Sequence, residues 1–244
     1  MKNLLLSTVN STAPFDFSAV FGNVLQNWYY YLTLLIVIAG IIVFFAFVKP
    51  KRKILFSGTK KIVYTAVFTA LSFVANSFSY FPVSYISISV LPTVCFLSGL
   101  LLGAKSGFLV GFIGDLLGAI IFPAGAYNPL IGIASGLSGL IPGVIFDYFK
   151  GNGYIKTVIS FVLTLVICTS GINTFALYLM YGLGKKTFWA YLIVRLPWQV
   201  LIAAGNLVLS LSLFAAIGRI FPKDKFTTEE ADSAKYENKK AINE

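Results

Sequence analysis

The sequence predicts an all-α integral membrane protein with about seven transmembrane helices. Three observations carry that prediction. Hydrophobic residues make up 57% of the 244-residue chain and charged residues only 11%, far below the quarter or so usual in a soluble domain. Apolar runs of bilayer length recur along the chain. The charges gather at the ends of those runs. A soluble fold of this size lacks the polar surface to cover such a core, and a bilayer removes the need for it.

The first apolar run extends from Tyr29 to Val48 and is followed by Lys49, Lys51, Arg52 and Lys53. At about 1.5 Å per residue it is long enough to cross a hydrocarbon core. A secretory signal peptide would carry its positive charge before the apolar stretch and a small-residue cleavage site after it. Here the basic cluster follows, so the segment reads as an uncleaved helix over 28–48, behind an extracellular segment 1–27. Six further spans are expected at about 62–80, 86–103, 106–122, 128–146, 156–177 and 197–219. Together they form a core over 60–220. The tail, 222–244, is polar and charged, and disorder is expected there. No fixed-period repeat is present.

Alternating sides along these spans gives a charge count. Lys49, Lys51, Arg52, Lys53, Lys60, Lys61, Lys105, Lys150, Lys156, Arg219, Lys223, Lys225, Lys235, Lys239 and Lys240 fall on one side, fifteen of the nineteen basic residues. Lys2, Lys185, Lys186 and Arg195 fall on the other. The richer side is expected to be cytoplasmic. The N-terminus is then outside and the C-terminus inside. The net charge of +10 belongs to this topology, and no nucleic-acid partner is expected.

The residue inventory bears on chemistry. The chain has no histidine and two cysteines. Cys95 and Cys168 fall within apolar runs as packing residues, and no metal-ligand set is spaced along the chain. Proteases, phosphotransferases and metal hydrolases need acid–base pairs, nucleophile–base sets or metal ligands. No enzymatic activity and no cofactor are expected.

Small residues indicate how the helices meet. In lipid, helices pack closely where small side chains let backbones approach. Gly103, Gly107 and Gly111 recur at intervals of four, and Gly114 and Gly118 extend that surface. Gly132 and Gly136, then Gly139 and Gly143, repeat the spacing on the next helix. Ala66 and Ala70 lie on the first core helix among bulkier residues. They read either as packing inside the bundle or as a docking surface for another membrane protein.

Candidate binding residues collect towards the outer side. Asp115 lies near the middle of its span, in Gly114-Asp115-Leu116-Leu117-Gly118. An intramembrane acid is expensive and is either functional or held by partners. Phe122-Pro123-Ala124-Gly125-Ala126-Tyr127-Asn128-Pro129 forms a turn with aromatics and an amide at the membrane surface. Asn173 lies late in the fifth core span. Arg195-Leu196-Pro197-Trp198-Gln199 is expected at the mouth of the last span, with Pro197 in its first turn. Arg195 and Gln199 are four apart and share a helix face. A guanidinium and an amide there, beside Trp198, suit a carboxylate and a planar ring. The alternative is that Arg195 snorkels to the interface. The candidate site is thus Asp115, Phe122, Tyr127, Asn128, Asn173, Arg195, Trp198 and Gln199, with Lys185 and Lys186 near it. A planar, anionic small molecule suits it.

These segments, in this order, resemble the substrate-binding S components of energy-coupling factor (ECF) vitamin transporters, in particular the folate family. The resemblance rests on Gly114-Asp115-Leu116-Leu117-Gly118-Ala119 running into Phe122–Tyr127, on Asn173-Thr174 with Leu179-Met180-Tyr181-Gly182, and on Arg195-Leu196-Pro197-Trp198-Gln199. It covers about 60–220. It implies an S-component-like six-helix bundle, here with one extra N-terminal transmembrane helix, in a prokaryotic cell membrane. It implies a vitamin bound from outside, and uptake driven by a transmembrane coupling protein with two ABC-type ATPases. An Ala-x-x-x-Ala pattern on the first core helix contacts the coupling protein in that family, and Ala66 and Ala70 match it. This chain lacks a phosphate-binding Gly-rich loop ending in Lys-Ser or Lys-Thr, consistent with ATP hydrolysis in partner subunits. Its first core helix ends Ala75-Asn76-Ser77-Phe78-Ser79-Tyr80, without the arginine of the folate binders. The expected ligand is therefore folate or a related planar anionic heterocycle. A stand-alone secondary transporter, proton-coupled through Asp115, is the alternative. Such proteins usually carry internal inverted repeats, which are not seen here.

Overall fold

In the computed structural model, the described residues are 58–83, 86–122, 127–149, 151–179 and 187–220, plus seven residues between 31 and 42. The side chains of 80–87 are outside the description. So are the expected extracellular segment 1–27, the turn 123–126, Lys185, Lys186 and the tail 222–244. Tyr31, Leu32, Leu34, Leu35, Ile38, Ala39 and Ile42, within the expected extra helix 28–48, are helical.

Helix α1, Gly58–Ser77, leads into a short antiparallel hairpin, β1 Tyr80–Val83 and β2 Ile86–Ile88. Next come α2, Leu91–Leu102, and α3, Ala104–Ile121. Helix α4 is Pro129–Tyr148, and α5 is Gly153–Leu163. Helix α5 continues without a break through a π-helical stretch, Thr164–Asn173, into α6, Thr174–Leu177. The last helix, α7, is Phe188–Ile220.

Among the described residues, four stretches are long and apolar enough to cross a membrane: Ala104–Ile121, Pro129–Tyr148, Gly153–Leu177 and Phe188–Arg219. The chain is a helical, multi-pass membrane protein.

Two expected spans differ from what is found. The span expected at 86–103 is a strand followed by a helix of twelve residues, only about 18 Å long at 1.5 Å per residue. The Ile-Ser-Ile-Ser run alternates and contains β-branched residues, so it pairs as a strand. Pro92 then starts the helix in its first turn. The span expected at 197–219 begins instead at Phe188. Pro197 therefore sits inside α7, and Arg195 lies two turns into the helix.

Local chemistry explains the boundaries. Gly103 alone separates α2 from α3, and its φ of 86° lies where a Cβ is strained. Asn128 caps α4 by accepting from the Leu130 N–H at 3.0 Å, with Pro129 behind it. Asn152 caps α5 in the same way, accepting from the Tyr154 N–H at 3.1 Å.

Gly99, Gly107, Gly111, Gly136, Gly139 and Gly143 form the contact between α2, α3 and α4, while Gly114 and Gly118 lie against Ser72 and Asn76 of α1. A Cβ on Gly139 would stand 2.6 Å from the carbonyl carbon of Gly107, and one on Gly111 would stand 2.7 Å from that of Ser135. Gly143 meets the backbone of Ala104, and Gly99 meets Gly139. The backbones touch because no side chain intervenes, which is the dispersion gain available to helices in lipid. Phe96 packs against Phe146 and Phe161, with ring centroids 6.2 and 5.5 Å apart, and Phe214 of α7 reaches Phe146 at 5.8 Å. Cys95 and Cys168 are free and buried, as expected of packing residues.

Candidate functional site

Two polar groups lie towards the end of the bundle that carries the hairpin, and Asn128 links them.

The first group surrounds Asp115 of α3, which is 7% exposed. Asn76 of α1 donates through Nδ2 to Asp115 Oδ1 at 3.1 Å. Ser135 of α4 also lies beside the carboxylate. The Tyr127 hydroxyl and Asp115 Oδ2 both lie against Gly132, whose missing side chain makes room for them. Asp115 thus joins three helices, and an intramembrane acid finds the partners it requires.

The second group lies between the α5–α6 rod and α7. Arg195 is 6% exposed and Gln199 is 8% exposed. A guanidinium has donors only, so the Gln199 amide oxygen faces it. That oxygen accepts from Arg195 Nε at 3.2 Å and Nη2 at 3.0 Å. The Tyr191 ring lies under the guanidinium, 5.8 Å from Cζ to its centroid, at cation–π range. The Gln199 amide is 3.5 Å from Thr174 Oγ1, and Thr174 donates to Thr169 O, five residues back, at 3.0 Å. Among the described residues, Arg195 Nη1 and Asn173 Oδ1 are enclosed without a hydrogen-bond partner. Buried polar groups left this way are uncommon and call for an explanation.

Asn128 connects the groups. Besides capping α4, it donates through Nδ2 to Ala176 O of α6 at 3.3 Å.

The expected residues therefore divide. Asp115 and Tyr127 come together, as do Arg195 and Gln199; Asn173 directly precedes Thr174, which the Gln199 amide meets, and Asn128 bonds the same rod at Ala176. Phe122 and Trp198 lie further out, 59% and 51% exposed. Phe122 stacks on Phe73 of α1, with centroids 6.1 Å apart. Ala66 and Ala70 are exposed on α1 beside Ile62, Val63 and Val67.

Reading the sequence missed Asn76, Ser135, Thr174 and Tyr191. Asn76 carried a usable signal, an amide within an apolar helix. Tyr191 carried another, lying four residues before Arg195 as Gln199 lies four after. Asp147 was also missed as a second buried acid, 1% exposed near the end of α4. It lies towards the opposite end, where its charge acts on Lys61.

The architecture is that of a membrane-embedded small-molecule binding protein. It has a helical bundle with two polar clusters at one end and, among the described residues, a buried guanidinium nitrogen without a hydrogen-bond partner. Residues 56–219 match the family model described as "ECF-type riboflavin transporter, S component", and the chain belongs to that family. It is therefore the substrate-binding subunit of an ECF-type transporter and not an enzyme. A similar solved structure is the "Crystal structure of FolT bound with folic acid", with a TM-score of 0.56 and 25% sequence identity. The similarity covers 64% of this chain and 93% of the FolT chain. No curated protein matches the sequence.

Proposed function

We propose that the subunit binds folate, or a related planar anionic heterocycle, from outside the cell and delivers it to an ATP-driven importer. The carrying observation is Arg195, a guanidinium with one enclosed nitrogen that has no hydrogen-bond partner among the described residues. Folate offers carboxylates to such a group, whereas riboflavin is uncharged. The folate-bound FolT neighbour supports the first ligand. The description of the matched family favours riboflavin as the second.

The proposed binding-site residues are Asp115, Tyr127, Asn128, Asn173, Arg195 and Gln199, with Phe122 and Trp198 at the rim. The proposed architecture is the six-helix S-component bundle plus the extra N-terminal helix, with the N-terminus outside and the C-terminus in the cytoplasm. The proposed partners are a transmembrane coupling protein, docking on Ala66 and Ala70, and two ABC-type ATPases. Changing Ala66 and Ala70 together to Trp is expected to abolish uptake in cells and to leave ligand binding intact. Loss of binding as well would place that face in the fold itself.

The deciding experiment is mass spectrometry of small molecules that co-purify with the detergent-solubilised protein, followed by titration with folic acid and with riboflavin. Tight binding of folic acid alone supports the proposal. Tight binding of riboflavin alone keeps the transporter class and overturns the ligand.

A further inference from the structure

The contact between Arg195 and Gln199 has an unusual choice of partner. Both side chains are buried on one face of α7, and two guanidinium donors end on the Gln199 amide oxygen. Tyr191, one turn before, supplies a ring face. A glutamate at 199 would hold the guanidinium more strongly, because both partners would be charged. It would also cancel the charge, which an apolar surrounding favours. Glutamine holds the same geometry and leaves the charge in place. One nitrogen, Nη1, remains enclosed without a partner among the described residues.

We infer that Gln199 is a positioning residue that sets the charge selectivity of the site. It fixes the Arg195 guanidinium through Nε and Nη2 without neutralising it, so that Nη1 and the full positive charge serve a carboxylate of the ligand. Tyr191 supports the plane of the guanidinium. This inference rests on the proposed reading that the α7 pair faces the ligand, and it assigns Gln199 to Arg195 rather than to the ligand.

The test uses the full-length protein in detergent, titrated with folic acid and with folic acid dimethyl ester, which keeps the rings and lacks the carboxylate charges. The wild-type protein is expected to prefer the acid. Gln199→Glu, nearly isosteric, is expected to lose roughly ten- to hundredfold in affinity for the acid, the range of a hydrogen bond to a charged group, and to keep its affinity for the ester. Gln199→Met removes the acceptor but adds no charge. It is expected to weaken the acid only severalfold and to retain the preference. A collapse of the preference in Gln199→Glu alone supports the inference. Equal losses for acid and ester in Gln199→Glu would mean a purely structural tether and would overturn it. A wild-type protein that binds acid and ester alike would overturn the inference while leaving folate binding standing. A wild-type protein that binds neither would remove both.

Discussion

Helices α4 and α7 both cross the bundle, yet they are held in opposite ways. In α4, 72% of the most apolar window is buried, and in α7 only 11%. The buried residues of α4 are mostly glycine, alanine and aliphatic side chains, set against the backbones of α2 and α3. Helix α7 buries four residues, Arg195, Gln199, Asn206 and Ser210, and all four are polar. The difference follows from the solvent. Lipid tails are as apolar as leucine, so α7 gains nothing by turning its leucines inward. Hydrogen bonding across a polar stripe attaches it, with Phe214 packed on Phe146 and Tyr154 further along. Helix α4 is attached by shape and α7 by chemistry, and a ligand site that must accept polar groups lies along the second.

The largest expected effect breaks the shape-based attachment. Gly139→Leu places a side chain into the carbonyl group of Gly107, a backbone that cannot step aside. Overpacking of this kind costs about 1–3 kcal/mol or more, and here two helices must separate. Loss of monodisperse protein in size-exclusion chromatography is expected. Gly205→Leu on α7 is the control, since a Cβ there meets nothing within 4 Å. It should be tolerated, with melting temperature unchanged or slightly raised. If both variants behave alike, the contrast between the helices is wrong.

Next comes the ligand-facing part of the α7 stripe. Arg195→Ala is expected to weaken folic acid by about 1.5–3 kcal/mol, the scale of a hydrogen bond to a charged group. The bundle should still form, because the α2–α4 contact does not involve α7. Unchanged affinity in calorimetry would remove Arg195 from the site.

The same contrast explains what the sequence reveals and what it hides. Glycines spaced four apart, such as Gly107 and Gly111 or Gly139 and Gly143, point to close backbone packing in lipid, and the α2–α3–α4 contact is that packing. Asp115 and Arg195 stand out because a charge in an apolar run is costly. Helix starts are harder. Pro197 fits a first turn and also fits the interior of a helix whose neighbours tolerate a missing N–H. Only tertiary structure separates the two, and α7 begins nine residues earlier, at Phe188. The β1–β2 hairpin is hidden because Ile86–Val90 runs into the apolar stretch of α2. The π-helical run Thr164–Asn173 has no sequence signature here, although it precedes Thr174 and ends on Asn173. The partners of Asp115 are hidden for another reason: Asn76 and Ser135 lie 39 and 20 positions from it, on other helices.

A smaller effect is expected from the other half of the stripe, which is fully bonded. Thr93 of α2 donates to Asn206 Oδ1 at 2.8 Å, and Asn206 Nδ2 donates to Ser89 O at 3.0 Å. Ser210 donates to Thr93 Oγ1 at 3.3 Å. Ser89 in turn donates to Ala75 O of α1 at 3.0 Å and accepts from the Leu91 N–H at the start of α2. This knot fastens α7 to the hairpin and α2. A double-mutant cycle with Thr93→Val and Asn206→Leu should show a coupling of about 0.6 kcal/mol, and no more than about 1.7, as hydrogen bonds between helices in membranes do. Zero coupling would mean that α7 is attached elsewhere.

The smallest expected effect is at Trp198. It lies between Arg195 and Gln199 in sequence, yet half of its surface is exposed. An indole in that position meets the proposed ligand by one edge at most, and lipid headgroups attract the rest. Trp198→Ala should therefore change folic acid affinity by about threefold or less, near 0.6 kcal/mol, close to RT. Stacking a ring fully against the indole would be worth more, about 0.5–1.5 kcal/mol beyond the buried area. A loss above tenfold would place Trp198 across the face of the bound heterocycle. It would also mean that the outer end of α7 turns inward on binding. That is open to a helix anchored by a few hydrogen bonds and closed to one locked, like α4, by its own backbone.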